Sequence, residues 1–226
     1  MGAIGAADVR AVLFDLDGTL LDTTELIIAS YKHTARICLG RDMDEAEILP
    51  RLGEPLVVTM RDLAADRVDE LVAVYRRFNL AEHDRLVKLI PGVPETLPAL
   101  RNRGVRLAIV SSKIRHTVEK GLDLFRLTTF FDVVIGLEDS PAHKPDPGPL
   151  LEALRRLDLG PASAVMVGDS PADILAARAA GARSIAVGWS RLPAAAIAAA
   201  GPDATISTMP ELLDVIGLSH KRLVNT

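Results

Sequence analysis

Two acidic stretches carry the residues most able to do chemistry: Asp15 and Asp17 in F-D-L-D-G-T, and Asp169 and Asp173 in V-G-D-S-P-A-D. Each follows a short apolar run, so each falls where a strand gives way to a turn. Taken alone, D-x-D-G reads equally as a polar turn or as a functional loop. An EF-hand loop starting at Asp15 would need Gly at its sixth position and Glu at its twelfth. Those positions hold Leu20 and Leu26, which excludes that calcium loop and leaves other hard-cation sites open. Between the acidic stretches lie Ser111-Ser112-Lys113, closing another apolar run, and His143-Lys144-Pro145-Asp146-Pro147, ahead of a helical pattern. They supply a hydroxyl, backbone N–H groups and an ammonium, the groups that bind a phosphoryl oxygen. Singly, Ser-Ser-Lys is a common helix entry and a lysine such as Lys144 is usually a solvated surface residue. The order and placement of the four pieces together point to phosphoryl chemistry.

Such residues must be positioned by a scaffold, and the hydrophobic pattern supplies one. Val9 to Asp15, Val105 to Ser111, Ala164 to Asp169 and Ser184 to Trp189 read as buried strands, with a further strand at Asp132 to Ile135 and a short edge at Ala204 to Ile206. Helical patterns alternate with them at Pro94 to Arg103, Arg115 to Phe125, Pro147 to Leu157 and Ala172 to Ala180. Fully apolar strands alternating with helices predict an α/β fold, a Rossmann-like parallel sheet with helices on both faces. Ligands of such sheets sit beyond the carboxyl ends of the strands, where the acidic turns fall. From Thr23 to Leu89 the alternation breaks into helix-period segments at Glu25 to Cys38, Asp44 to Arg51, Pro55 to Ala64 and Val68 to Phe78, with no convincing strand. The expected organisation is an α/β core of residues 1–22 and 89–226, with a helical cap of residues 23–88 inserted after the first strand and hanging over the strand ends as a lid.

Composition narrows the field further. With 226 residues, 49% hydrophobic and 25% charged, the chain has globular composition, which excludes disorder, collagen and a coiled coil. A net charge of −4 argues against nucleic acid as a partner. The single cysteine, Cys38, forms no internal disulfide, and with five histidines (His33, His83, His116, His143, His220) it shows no zinc-site spacing. No apolar run approaches the ~18 residues that cross a bilayer. The first eight residues, Met1 to Asp8, lack the basic start and apolar core of a signal peptide, so a cytoplasmic location is expected. No obligate protein partner is implied.

In these motifs the sequence resembles phosphatases of the haloacid dehalogenase superfamily over essentially its whole length. D-L-D-G-T matches motif I, Ser111 motif II, Lys144 motif III and G-D-S-P-A-D motif IV. The resemblance implies that Asp15 is the nucleophile, forming an aspartyl-phosphate that water hydrolyses, and that Asp17 is the general acid and base. It implies Mg2+ as cofactor, held by the Asp15 carboxylate, the Asp17 backbone carbonyl and Asp169, with Asp173 and Ser170 behind these ligands. Lys144 would neutralise the transferring group. Ser111, the N–H of Ser112, and Gly18 and Thr19 of motif I would contact the small phosphorylated substrate. Many family members carry Asn where Ser112 stands, so there the backbone N–H is the surviving contact. Dehalogenases and phosphonate hydrolases of the superfamily lack an acid at the position of Asp17; its presence favours transfer of a phosphoryl group to water.

Specificity is expected from the cap. Residues 22–88 hold ten Lys and Arg against thirteen Asp and Glu, a balance of −3, so the cap is no basic cover and single cations must reach the substrate. The stretches T-E-L-I-I-A-S-Y (24–31), Y-R-R-F-N (75–79), H-D-R-L-V (83–87) and F-F-D-V-V-I-G-L-E-D (130–139) resemble PpaX-type pyrophosphatases. That implies hydrolysis of inorganic pyrophosphate, whose second phosphate needs its own cations. Arg51, in R-L-G-E-P-L, with Arg76 and His83 are the candidates. Against this, Arg76 and Arg77, taken singly, read more readily as solvated helix residues paired with Asp69, Glu70 or Glu82. The apolar face of Glu25 to Cys38 reads as cap interior. The runner-up substrate is 2-phosphoglycolate. A catalytically silent binding protein on the same fold is disfavoured by the complete set Asp15, Asp17, Lys144 and Asp169.

Overall fold

A computed structural model describes residues 9–218. The stretch Met1 to Asp8 and His220 lie outside the described residues. The chain opens with β1 (Ala11–Phe14) and β2 (Leu21–Asp22), followed by α1 (Thr24–Thr34), α2 (Glu45–Ile48), α3 (Leu56–Leu63) and α4 (Val68–Leu86). After β3 (Lys88–Leu89), helices and strands alternate: α5 (Val93–Arg101), β4 (Arg106–Val110), α6 (Arg115–Leu124), β5 (Val133–Ile135), α7 (Gly148–Leu157), β6 (Ala164–Gly168), α8 (Pro171–Ala180) and β7 (Arg183–Val187). The final elements are α9 (Ala194–Ala200), β8 (Ala204–Ile206) and α10 (Glu211–Val215).

Six strands form one parallel sheet in the order β5-β4-β1-β6-β7-β8. Every residue of β1 and β6 is buried because helices cover both faces, which is why these strands are apolar throughout rather than alternating. Val12, Phe14, Leu107, Ile109, Val165 and Val167 point to one side and pack with Leu97 and Leu100 of α5, Leu122 of α6 and Leu212 of α10. Ala11, Leu13, Ala108, Val110, Ala164 and Met166 point to the other and pack with Leu150 and Leu154 of α7 and Ala176 and Ala177 of α8.

Between β2 and β3 the chain is helical and has its own apolar cluster, in which Tyr31, Cys38, Met43, Ile48, Met60, Leu71 and Tyr75 are buried. Helix α1 widens at its end into a π-helical turn, Ala35–Leu39, that stops at Gly40 in the left-handed conformation. Two details depart from expectation. Lys88 and Leu89, inside the segment read as free of strands, pair antiparallel with Asp22 and Leu21 and so tie together the two chain crossings at the base of the helical segment. Helix α4 runs eight residues past Phe78 to Leu86, because its buried stripe continues through Asn79, His83 and Leu86. No helix among the described residues is long and apolar enough to cross a membrane.

Candidate active site

The three central strands β4, β1 and β6 end side by side, and this edge gathers Ser111, Asp15 and Asp169. The ladder carries on into the site: the Asp15 N–H donates to Val167 O (2.9 Å) and the Ser111 N–H to Ile135 O (3.0 Å). After β1 the backbone curls tightly, Leu16 O accepting from the N–H groups of Leu20 and Leu21 (both 3.0 Å) and Gly18 donating to Leu21 O (2.7 Å). Gly18 has φ +76°, and a Cβ there would collide with the Asp169 carboxylate, so the turn requires glycine on both counts. A Cβ at Gly168 would likewise run into Asp173.

Lys144 is buried at the centre. Its ammonium donates to Asp15 Oδ1 (2.7 Å), Asp173 Oδ1 (2.6 Å) and Val110 O (2.9 Å), one oxygen for each of its three N–H bonds. Burial works against its charge, but Asp15 and Asp173 more than reverse this and hold its pKa above the ordinary value. The second oxygen of Asp173 takes the N–H (3.1 Å) and hydroxyl (2.6 Å) of Ser170, which caps α8. Asp173 is thereby fully committed to bracing Lys144 and the helix start.

Asp15 and Asp169 are short of positive charge. Burial first, then the charges of Asp173 and Asp17, push the Asp15 carboxyl up to about 7 against the pull of Lys144. Burial, with Asp15 and Asp173, raises Asp169 well above the carboxylate range. The ligand oxygens of Asp15, Asp169 and Asp173 lie within 4.8 Å of one another. Fully ionised, three carboxylates around one ammonium would carry two uncompensated negative charges, which together with burial is why Asp15 and Asp169 hold on to protons, and the free donors are all oxygens. That fits a hard divalent cation.

Asp17 turns from this cluster to Lys113, whose ammonium lies 2.7 Å from Asp17 Oδ1. The loop beneath is fixed by the Lys113 N–H donating to Ser111 Oγ (3.1 Å) and by Leu137 N–H donating to Lys113 O (2.8 Å). With its oxygen accepting, the Ser111 hydroxyl keeps its proton for a ligand. Above these groups is a cavity of about 100 Å³, floored by Asp15, Asp17, Ser111, Ser112, Lys113, Lys144, Asp169 and Ser170 and roofed by Ile27, Tyr31, Arg51, Gly53, Glu54, Tyr75, Arg76 and Asn79.

Most residues singled out in the sequence meet here. Arg51 reaches the cavity while 3.7 Å from Asp62. Arg76 also lines it, half-buried and with no ion pair among the described residues, whereas its neighbour Arg77 is exposed on the outer face. Gly18 lies beside Asp169 and Thr19 is buried, its hydroxyl without a hydrogen-bond partner among the described residues. His83 does not reach the cavity. It occupies the buried stripe of α4 that faces α6, with Nδ1 2.8 Å from Asp84 Oδ1, and burial lowers its pKa. Phosphate contact is therefore withdrawn as its role, because the helix turns it toward Gly121 and Leu21.

Several lining residues escaped the sequence reading. Ile27 and Tyr31 sit four apart on α1, and Tyr75 and Asn79 four apart on α4, so each pair shares a helix face. Tyr31 and Tyr75 meet edge to face at 5.1 Å, and Asn79 donates to Ser30 Oγ (3.1 Å). The i, i+4 spacing was visible, but its orientation toward the site rather than into the cap interior was not. A second cavity of about 530 Å³ adjoins the first at Asp17 and Asp169, lined also by Thr23, Trp189, Arg191 and Thr208. The Trp189 indole N–H is buried without a hydrogen-bond partner among the described residues.

The family description "Haloacid dehalogenase-like hydrolase" matches residues 12–187. A Bacillus velezensis protein named pyrophosphatase PpaX is 44% identical over 93% of this chain and 97% of its own. Among solved structures, a haloacid dehalogenase-like family hydrolase from Streptococcus pneumoniae superposes with TM-score 0.82 at 28% identity, covering 91% of this chain and 97% of that one. A predicted phosphoglycolate phosphatase from Haemophilus somnus gives TM-score 0.80 at 26% identity, covering 91% and 97%.

Proposed function

Because this chain belongs to the haloacid dehalogenase-like hydrolases, we propose that it hydrolyses inorganic pyrophosphate through an aspartyl-phosphate on Asp15. The observation carrying the substrate is the cavity itself. At about 100 Å³ it is well below the roughly 300–1,000 Å³ of ordinary ligand pockets, and Lys113, Lys144, Arg51 and Arg76 surround it. A small ion with two anionic groups suits that space.

Asp15 attacks the phosphorus of one phosphate, forming an O–P bond while the bond to the bridging oxygen breaks. Asp17 gives that oxygen its proton, so orthophosphate leaves, and then takes a proton from the water that cleaves the acyl-phosphate. Lys144 fixes Asp15, while the Ser111 hydroxyl and the Ser112 N–H hold equatorial oxygens of the transferring group. Asp15, Asp169 and the Asp17 carbonyl would hold Mg2+, which would supply the positive charge that lets a carboxylate approach an anionic phosphate. Asp173 and Ser170 brace Lys144 rather than bind the ion. Residues 23–88 act as a lid over the core of residues 1–22 and 89–226, carrying Arg51 and Arg76 onto the substrate.

The test is Mg2+-dependent phosphate release from pyrophosphate and from 2-phosphoglycolate on one preparation, with Asp15→Asn as the contamination control. A tenfold or greater advantage in kcat/KM for pyrophosphate, about 1.4 kcal/mol of transition-state binding, supports the proposal. The reverse preference reassigns the cap to carboxylate recognition, and wild-type turnover by a folded Asp15→Asn protein sinks the mechanism.

A further inference from the structure

We propose that Lys113 is the principal anchor for the second anionic group of the substrate, which is the leaving phosphate when the substrate is pyrophosphate. The inference rests on the mechanism above for the position of the leaving group. Its starting point is a donor inventory. The two ammonium groups in the cavity look alike in the sequence but differ in what they have left to give. Each of the three N–H bonds of Lys144 is matched by a protein oxygen, so Lys144 gains no contact with a phosphate without losing one. Lys113 makes a single side-chain contact among the described residues, to Asp17 Oδ1 at 2.7 Å, and therefore brings two unused N–H bonds into the same cavity.

Position then decides which phosphate it meets. The oxygen that departs must come within hydrogen-bond reach of Asp17, about 2.6–3.2 Å, to receive its proton. Asp17 is the group Lys113 already touches, so the phosphate carrying that oxygen arrives beside the Lys113 ammonium. The backbone of Lys113 is held at both ends, by Ser111 Oγ on its N–H and Leu137 N–H on its carbonyl, so the loop stays put while the four-carbon side chain swings from carboxylate to phosphate. Arg51 and Arg76 approach the same space from the cap. They stand on the helical segment, Arg51 already 3.7 Å from Asp62, whereas Lys113 stands on the sheet edge next to Asp17.

The experiment compares wild type, K113M and K113R on pyrophosphate, 2-phosphoglycolate and p-nitrophenyl phosphate, whose leaving group carries no second anion. K113M is expected to lower kcat/KM for pyrophosphate at least tenfold more than for p-nitrophenyl phosphate, mostly through KM, with K113R recovering the larger part of the difference. Circular dichroism and thermal unfolding check the fold, and K113Q repeats the comparison if K113M is not folded. An equal loss on all three substrates, or a loss confined to kcat, overturns the proposal, because it would mean that Lys113 only supports Asp17. If wild type ignores pyrophosphate but cleaves 2-phosphoglycolate, the pyrophosphate reading fails alone, and the same ratio measured with 2-phosphoglycolate decides the role of Lys113. A wild type that turns over neither two-anion substrate overturns both.

Discussion

At the scale of single residues, the site is organised by which donors and acceptors are already taken. Lys144 is held by three oxygens and Asp173 by three donors, so this pair is a brace whose value depends on completeness. Removing the ammonium strands two buried carboxylates, and breaking a buried pair from one side costs about 3–5 kcal/mol. Lys144→Met is therefore expected to lower the unfolding free energy from denaturant titration by an amount of that order, as well as to abolish turnover. An unfolding free energy unchanged from wild type would mean that the brace is not structural. Asp15, Ser111 and Asp169 were legible in the sequence because each directly follows a strand, where an apolar run fixes its place to within a residue, whereas Lys144 and Asp173, in a loop and a helix, were legible only through the motifs around them. The orientation of Lys113 toward Asp17 was not legible, since nothing in Ser-Ser-Lys distinguishes a solvated lysine from one turned inward.

At the scale of elements, α4 shows where periodicity stops informing. Its buried positions are Leu71, Tyr75, Asn79, His83 and Leu86, a regular stripe in which two polar residues replace apolar ones in the second half. A hydrophobic pattern loses the helix at Phe78, although the backbone continues for two more turns. That extension brings Asp84 to Lys120 of α6, 2.7 Å away, and so bridges the helical segment and the sheet. The pair is partly exposed, and such bridges contribute roughly 0–1 kcal/mol. Asp84→Ala should leave the unfolding midpoint nearly unchanged and raise KM for the substrate by up to about fivefold, with kcat little altered, because the lid proposed above would lose a contact with the sheet. Steady-state kinetics across a salt series provide the check: added salt should raise the wild-type KM toward that of the variant. The two-residue strands β2 and β3 were invisible for a simpler reason, since two residues contain no period.

At the scale of the whole molecule, the sheet was legible and the surplus of buried negative charge was not. Parallel strands buried on both faces have an unmistakable composition, whereas charge balance depends on which carboxylates converge in space. Its consequence is a stability that depends on pH and on metal together. In the unfolded chain Asp15 releases its proton near 3.8, and in the fold near about 7. Between those values the folded state holds more protons, so stability falls as pH rises from about 4 to about 7. In EDTA the protein should unfold at a higher temperature at pH 5 than at pH 8. Magnesium, which takes the place of the retained protons, should raise the midpoint more at pH 8 than at pH 5. Calorimetry at the two pH values, with and without Mg2+, tests this, and a metal effect independent of pH would contradict it.

The chain contains one tryptophan, and it stands in the cavity that shares Asp17 and Asp169 with the site. Trp189 has its indole N–H buried and unmatched among the described residues, in a cavity that Thr23, at the root of the helical segment, also lines. Its emission is therefore a single-source optical signal located at the joint about which the lid would turn. Cation arrival at Asp169 and movement of the joint should each shift its wavelength or intensity, and Trp189→Phe should leave only a tyrosine background. Rapid-mixing fluorescence could then resolve metal loading, lid closure and product departure in the native chain, with no dye attached.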